Sequence, residues 1–122
     1  MVASQTAMTN SQELGISVLD YHVLLSLAEG PRYGYAIKDA VVADSLGAAH
    51  PRAGTLYRVL ARLMAREWVT ELTIPPETVR HPGRARRYYS LTAEGRRTLV
   101  NETQRLRRVA GLAEDRLAAR SP

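Results

Sequence analysis

Apolar residues recur at three- and four-residue spacing in three early stretches of the chain, and glycine and proline mark the joints between them. The first stretch predicts a helix over residues 17–29, with Leu19, Val23, Leu24 and Leu27 on its buried side and Gly30-Pro31 as its stop. The second predicts a helix over 33–45, placing Ala36, Ile37, Ala40 and Val41 on one face and ending near Gly47. After the break at HPRAG, Leu56, Val59, Leu60, Leu63 and Met64 form the apolar stripe of a third helix over 53–66.

The period then changes from helical to alternating. WVTELTI, residues 68–74, is rich in β-branched side chains and reads as a strand with Trp68, Leu72 and Ile74 on one side. Pro75, Pro76, Pro82 and Gly83 mark a turn region, and RRYYSL alternates so that Tyr89 and Leu91 face one way while Tyr88 and Ser90 face the other. Thr92 can cap a last helix, with Glu94 in its first turn where the helix dipole favours an anion, and the helical pattern persists to about residue 119. Along that helix Leu99, Thr103, Leu106, Ala110, Ala113 and Leu117 recur alternately every four and three residues, the period of a coiled-coil seam. The stripe is thin: Thr103 is polar, and Gly111 costs about 1 kcal/mol relative to alanine in a helix interior. It needs a partner helix, which is a second copy of the chain or, if the helix folds back, its own domain.

The expected fold class is therefore mainly α with a small β-hairpin. A winged helix-turn-helix spans 16–91 and a long C-terminal dimerisation helix spans 92–122. Residues 1–15, rich in Ser, Thr, Gln and Asn, read as a flexible tail.

Charge sharpens this picture. Of the 122 residues, those from 1 to 48 include two basic and five acidic side chains, whereas 49 to 108 include thirteen basic and five acidic, a net +8. A cationic block of this kind suits a polyanion, and nucleic acid is the commonest one a small protein meets. Thr55, Arg58, Arg62 and Arg66 fall on the side of the third helix opposite its apolar stripe, its guanidinium groups about 6 Å apart along the axis. Such a run is also what an ordinary solvated face looks like. Placed in the third helix of a winged architecture, however, it has the form of a recognition helix, clamped on one side and offering donors to phosphates and base edges on the other. Arg80, His81, Arg84 and Arg86 at the hairpin then lie where a wing reaches the DNA backbone or an adjacent groove.

LLSLAEGPRYGYAIKDAV, GTLYRVLARL and RRYYSLTAEGRRTL, in this order and spacing over about residues 19–100, resemble the PadR family of transcriptional regulators. The resemblance implies a homodimeric bacterial regulator, usually a repressor, whose winged helix binds a palindromic operator and whose C-terminal helix pairs the subunits. The single helix after the wing is similar to the short subgroup of that family. Carried over by position, Tyr35, Thr55 and Tyr57 are implied to contact the DNA backbone together with the wing arginines, although Tyr57 can also pack partly in the core. Arg52, Arg58 and Arg62 complete the expected groove-facing set. Three departures stand out: Ala53 and Arg58 occupy places where family members commonly have proline, and Glu67 occupies that of the customary turn glycine.

Other chemistry finds little support. His22, His50 and His81 lie on separate elements without cysteine or a carboxylate cluster, a poor metal set, and no nucleophile motif or phosphate-binding glycine loop occurs. Neither an enzyme nor a cofactor is expected. Trp68 reads as core, and no pocket for a small-molecule effector can be placed. The absence of cysteine and of any export signal or membrane span points to a cytoplasmic protein. The competing reading of the same fold is a winged-helix module that docks another protein without touching DNA; a small RNA-binding protein would require exposed aromatic platforms, for which Tyr88 is a single candidate.

Overall fold

The computed structural model describes residues 15–74 and 86–120. Ser17 opens the first helix, α1 (Val18–Ser26), through a capping box: its hydroxyl accepts from the Asp20 backbone N–H at 3.0 Å, and its own N–H donates to the Asp20 carboxylate at 3.3 Å. The chain continues through β1 (Arg32–Tyr33), α2 (Gly34–Asp44), α3 (Ala53–Ala65), β2 (Val69–Ile74), β3 (Arg86–Leu91) and α4 (Ala93–Ala119). The three early helices and the late one thus lie where their apolar periods put them, within a few residues at each end.

Three features depart from the sequence expectation. First, the sheet has three strands rather than two, in the antiparallel order β1-β3-β2, because Arg32 and Tyr33 pair with Tyr89 and Tyr88. Arg32 is fixed by donation from its Nε to the Ser26 carbonyl at 2.7 Å, and Tyr33 meets Tyr88 edge to face. Second, Trp68 does not share a strand face with Leu72. It closes the turn after α3, so Trp68 and Val69 are both buried although consecutive, while Leu72 pairs with Tyr88 on the opposite face of the sheet and is 39% exposed. Third, Leu99, expected at the head of an intersubunit seam, packs in the chain's own core with Val23, Leu24, Leu27, Ile37, Leu60 and Tyr89. Burial pushes the Tyr89 phenol up, and Glu71 opposite it in the strand pair adds to the shift.

The turns that connect these elements are alike. Both α2 and α3 end in the double hydrogen-bond pattern of a left-handed cap: Gly47 N–H donates to Val42 and Leu46 N–H to Ala43, then Trp68 N–H donates to Leu63 and Glu67 N–H to Met64. The left-handed residue is Leu46 (φ 55°) in one and Glu67 (φ 63°) in the other. A side chain in that region costs about 1–2 kcal/mol. The customary turn is therefore kept at Glu67 without its glycine, and the chain carries the strain.

That turn also seats α4. The Trp68 carbonyl accepts from Thr92 N–H at 3.0 Å, Thr92 Oγ1 donates to the Glu67 carbonyl at 2.6 Å and accepts from Gly95 N–H at 2.9 Å. Gly95 lies so close to the Trp68 carbonyl that a Cβ there would overlap its oxygen, which makes glycine the residue this junction requires. Further along, Arg96 donates to the Ala28 carbonyl at 3.0 Å and the hydroxyls of Tyr21 and Thr103 meet at 2.7 Å. Beyond Thr103 most of α4 is exposed, including Leu106, Val109, Ala110, Ala113 and Leu117.

Because nothing but backbone geometry distinguishes Glu67 from glycine at the end of α3, Glu67→Gly is expected to raise the unfolding free energy by about 1 kcal/mol. Denaturant titration checks this, and an unchanged or lowered midpoint contradicts it.

Candidate nucleic-acid interface

The α3 helix is clamped by its apolar stripe. Leu56, Val59, Leu60 and Leu63 are all at most 4% exposed, each contributing roughly 2 kcal/mol of burial. With that face inward, Thr55, Tyr57 and Arg58 are left at or near the surface: Tyr57 is half exposed, Arg58 is exposed, and the Arg58 guanidinium leans on the Thr55 hydroxyl at 3.4 Å. Arg52, at the N-cap position, is exposed as well and borders a groove shared with Val18, Ala49, His50 and Thr55.

The outward array of guanidinium groups expected along α3 is not what forms. Arg62 is bound to the Asp20 carboxylate, whose side chain is only 3% exposed, in an ion pair that ties α3 to the start of α1. Arg66 turns back so that its guanidinium carbon lies 5.0 Å from the centre of the Trp68 ring, a cation–π contact. The physical reason is the same in both cases: a buried carboxylate and an electron-rich ring within reach compete with solvent for the nearest cation. Of the three arginines on this face, Arg58 alone keeps an outward guanidinium with no acidic partner among the described residues. A sequence signal for the Arg62 pairing existed, since Asp20 precedes Val23 and Leu24 by three and four residues and so stands on the apolar face of α1, where a carboxylate needs a cation.

A second group of side chains gathers where α2 and α3 begin. Gly34, Tyr35 and Lys38 from the first turns of α2 and Ala53, Leu56 and Tyr57 from the first turns of α3 line one notch. Tyr35 is 69% exposed, and the Lys38 ammonium lies 5.9 Å from the centre of its ring. Gly34 makes room for Tyr57: a Cβ at Gly34 would stand 2.5 Å from the Tyr57 hydroxyl oxygen. Neither helix has a side-chain hydrogen bond from its N-cap residue, Tyr33 or Arg52, whereas α1 and α4 are capped by Ser17 and Thr92. Two helix N-termini whose N-cap residues make no side-chain cap bond, a lysine and two tyrosines thus border one surface depression, where the dipole ends and the ammonium favour an anion.

The remaining expected wing contacts, Arg80 and Arg84, lie outside the described residues, as does the side chain of Arg86; only the backbone of Arg86 is placed, opposite Ile74. Among the described residues, no three His, Cys, Asp or Glu side chains gather to hold a metal ion, and no helix is long and apolar enough to cross a membrane.

Three helices, the third presented outward, followed by paired strands with a short third strand against them, define a winged helix-turn-helix. Residues 23–101 match the model of the PadR-like family of transcriptional regulators, and the chain belongs to that family. Among solved structures it is similar to a PadR family transcription regulator from Clostridium difficile, at 25% identity and a TM-score of 0.69 over 83% of this chain and 99% of the other. It is also similar to PadR from Bacillus subtilis, solved in complex with operator DNA, at 25% identity and a TM-score of 0.60 over 71% of this chain and 47% of that one. In sequence it is 38% identical over 89 residues to an uncharacterized protein in transposon TN4556 of Streptomyces fradiae; that match takes in 73% of this chain but only 23% of the transposon protein's length.

Because the Tyr57 hydroxyl is the far end of a flexible side chain, Gly34→Ala is expected to displace it without unfolding the domain. The Tyr57 ring resonances should shift in NMR spectra while the unfolding free energy changes by less than about 1 kcal/mol. Unshifted Tyr57 resonances would contradict the packing described.

Proposed function

We propose that the chain is a sequence-specific DNA-binding transcriptional regulator that acts in the cytoplasm as a homodimer on a palindromic operator, and that it represses by occupying that operator. In this reading residues 16–91 hold the duplex and residues 92–122 pair the subunits, with α3 entering the major groove. The observation that carries the proposal is the notch between the N-termini of α2 and α3, where Tyr35, Lys38 and Tyr57 surround two helix ends without side-chain caps. A phosphate seated there would receive hydrogen bonds from backbone and side chains at once and fix the register of α3.

Gly54 supports the same reading. It lies in the first turn of α3, where a Cβ would meet nothing, yet glycine in a helix costs up to about 1 kcal/mol relative to alanine. No described residue crowds the bare backbone there, which leaves room for a phosphate backbone to approach closely. Thr55 and Arg58 then face the duplex from the next turn, Arg52 flanks them, and Arg80, Arg84 and Arg86 are assigned to the wing's grip on the backbone. Arg62 is assigned to holding α3 in place. The similarity to a regulator solved with operator DNA supports DNA as the partner.

For subunit pairing, the candidates are the exposed residues of α4 beyond Thr103: Leu106, Ala110, Ala113 and Leu117, with Val109 beside them. Leu99 serves the domain core instead. A solvent-exposed helix with this many apolar side chains is stabilised when a second copy covers it.

Arg58→Ala is expected to weaken binding to duplex DNA and to reduce the slope of log K against log salt by about 0.9, the loss of one phosphate contact. Fluorescence anisotropy over a salt series measures both, and an unaltered affinity and slope would remove Arg58 from the interface. Leu106→Glu is expected to yield a folded monomer by sedimentation velocity, because it places a charge in the middle of the pairing face. A persistent dimer would place the subunit contact elsewhere.

A further inference from the structure

We infer that Asp20 is a specificity-determining residue: by holding Arg62 it removes one cation from the DNA-facing surface and so suppresses binding to duplexes of the wrong sequence. The inference rests on the DNA-binding reading above and deepens it. Arg62 follows Arg58 by four residues and therefore lies one turn further along the same side of α3. Its side chain is 44% exposed and so remains at the surface that Arg58 occupies, but its guanidinium is held by a carboxylate whose side chain is only 3% exposed.

The carboxylate cannot follow its partner outward. Its Oδ1 accepts from Arg62, its Oδ2 accepts from the Ser17 N–H, and the Asp20 backbone N–H is held by the Ser17 hydroxyl, so the residue is locked into the first turn of α1. A buried carboxylate deprived of its cation is strongly disfavoured, which keeps Arg62 at home. Sequence-independent affinity for DNA comes from neutralised phosphates, each contributing its own counterion release, whereas base contacts supply discrimination. An arginine retained by Asp20 lowers the first term and leaves the second untouched. The ratio of operator to random-sequence binding rises accordingly.

Asp20→Asn tests this, because the amide keeps the shape and the acceptor for Ser17 while removing the charge that retains Arg62. With a fluorescein-labelled random-sequence duplex, the variant is expected to bind several-fold more tightly than the wild type at low salt, with a log K against log salt slope steeper by about 0.9. Unchanged or weaker binding with an unchanged slope, in a protein whose circular dichroism is that of the wild type, overturns the inference. If Asp20→Asn alone fails to fold, the double variant Asp20→Asn/Arg62→Gln carries the test, since it removes both charges together. Its slope is expected to equal that of the wild type; a slope shallower by about 0.9 shows that Arg62 was already on a phosphate and overturns the inference. A wild-type protein with no salt-dependent affinity for any duplex defeats the DNA-binding reading itself, an outcome distinct from both.

Discussion

Burial of Leu56, Val59, Leu60 and Leu63 decides in which direction α3 faces, and every assignment on its other side depends on that burial. An apolar stripe alone, however, tolerates some rotation of a helix about its axis, since hydrophobic contact is not directional. The Asp20–Arg62 pair supplies what the stripe lacks: a directional charge-assisted contact from the far end of α3 to the first turn of α1. Removing the cation would leave a carboxylate that is almost wholly buried without its partner, which destabilises the domain. One cation that could have met DNA is thereby spent on orientation.

The helix ends divide the same way between structure and surface. Ser17 and Thr92 each satisfy one first-turn N–H, that of Asp20 in α1 and that of Gly95 in α4. The N-cap residues of α2 and α3 make no side-chain cap bond, and the two helix starts line one notch with Tyr35, Lys38 and Tyr57. Gly34 keeps this region compact by letting the Tyr57 hydroxyl lie over the start of α2. The left-handed residues Leu46 and Glu67, by contrast, sit at the C-terminal ends of α2 and α3, and the second gives α4 its seat by turning the Trp68 carbonyl toward Thr92 and Gly95. Backbone strain at Glu67 thus belongs to domain assembly rather than to the notch between α2 and α3.

Much of this was legible in the sequence, and what was not has a common cause. The four helices, the two main strands, the buried Trp68 and the alternation of Tyr89 with Tyr88 follow from periodicity and punctuation, which act over a few residues. The two-residue strand β1 has no period to detect, and its pairing with Tyr88 and Tyr89 reaches across more than fifty residues. The ion pair of Arg62 is not legible from α3 alone, because helical spacing says which side of α3 a residue occupies but not what waits there; its partner is 42 positions away. Leu99 fits a coiled-coil heptad and a domain core equally well, and only the proximity of α1 chooses between them. Gly95 stands three residues after a good cap, where a glycine costs helix stability, and that cost was a usable hint of close packing.

The length of α4 gives the remaining constraint. At 1.5 Å per residue its 27 residues extend about 40 Å, yet among the described residues the side-chain hydrogen bonds seen between it and the body of the domain reach no further than Thr103. The turns beyond carry Leu106, Val109 and Leu117 exposed, and an isolated helical stretch of that length is marginal in water. A second copy would cover them. In such a dimer the separation of the two α3 helices depends on α1, because Tyr21 holds α4 through Thr103 while its neighbour Asp20 holds α3 through Arg62. Two adjacent residues on one short helix therefore hold both α4 and α3, and a shift of α1 would move the two together.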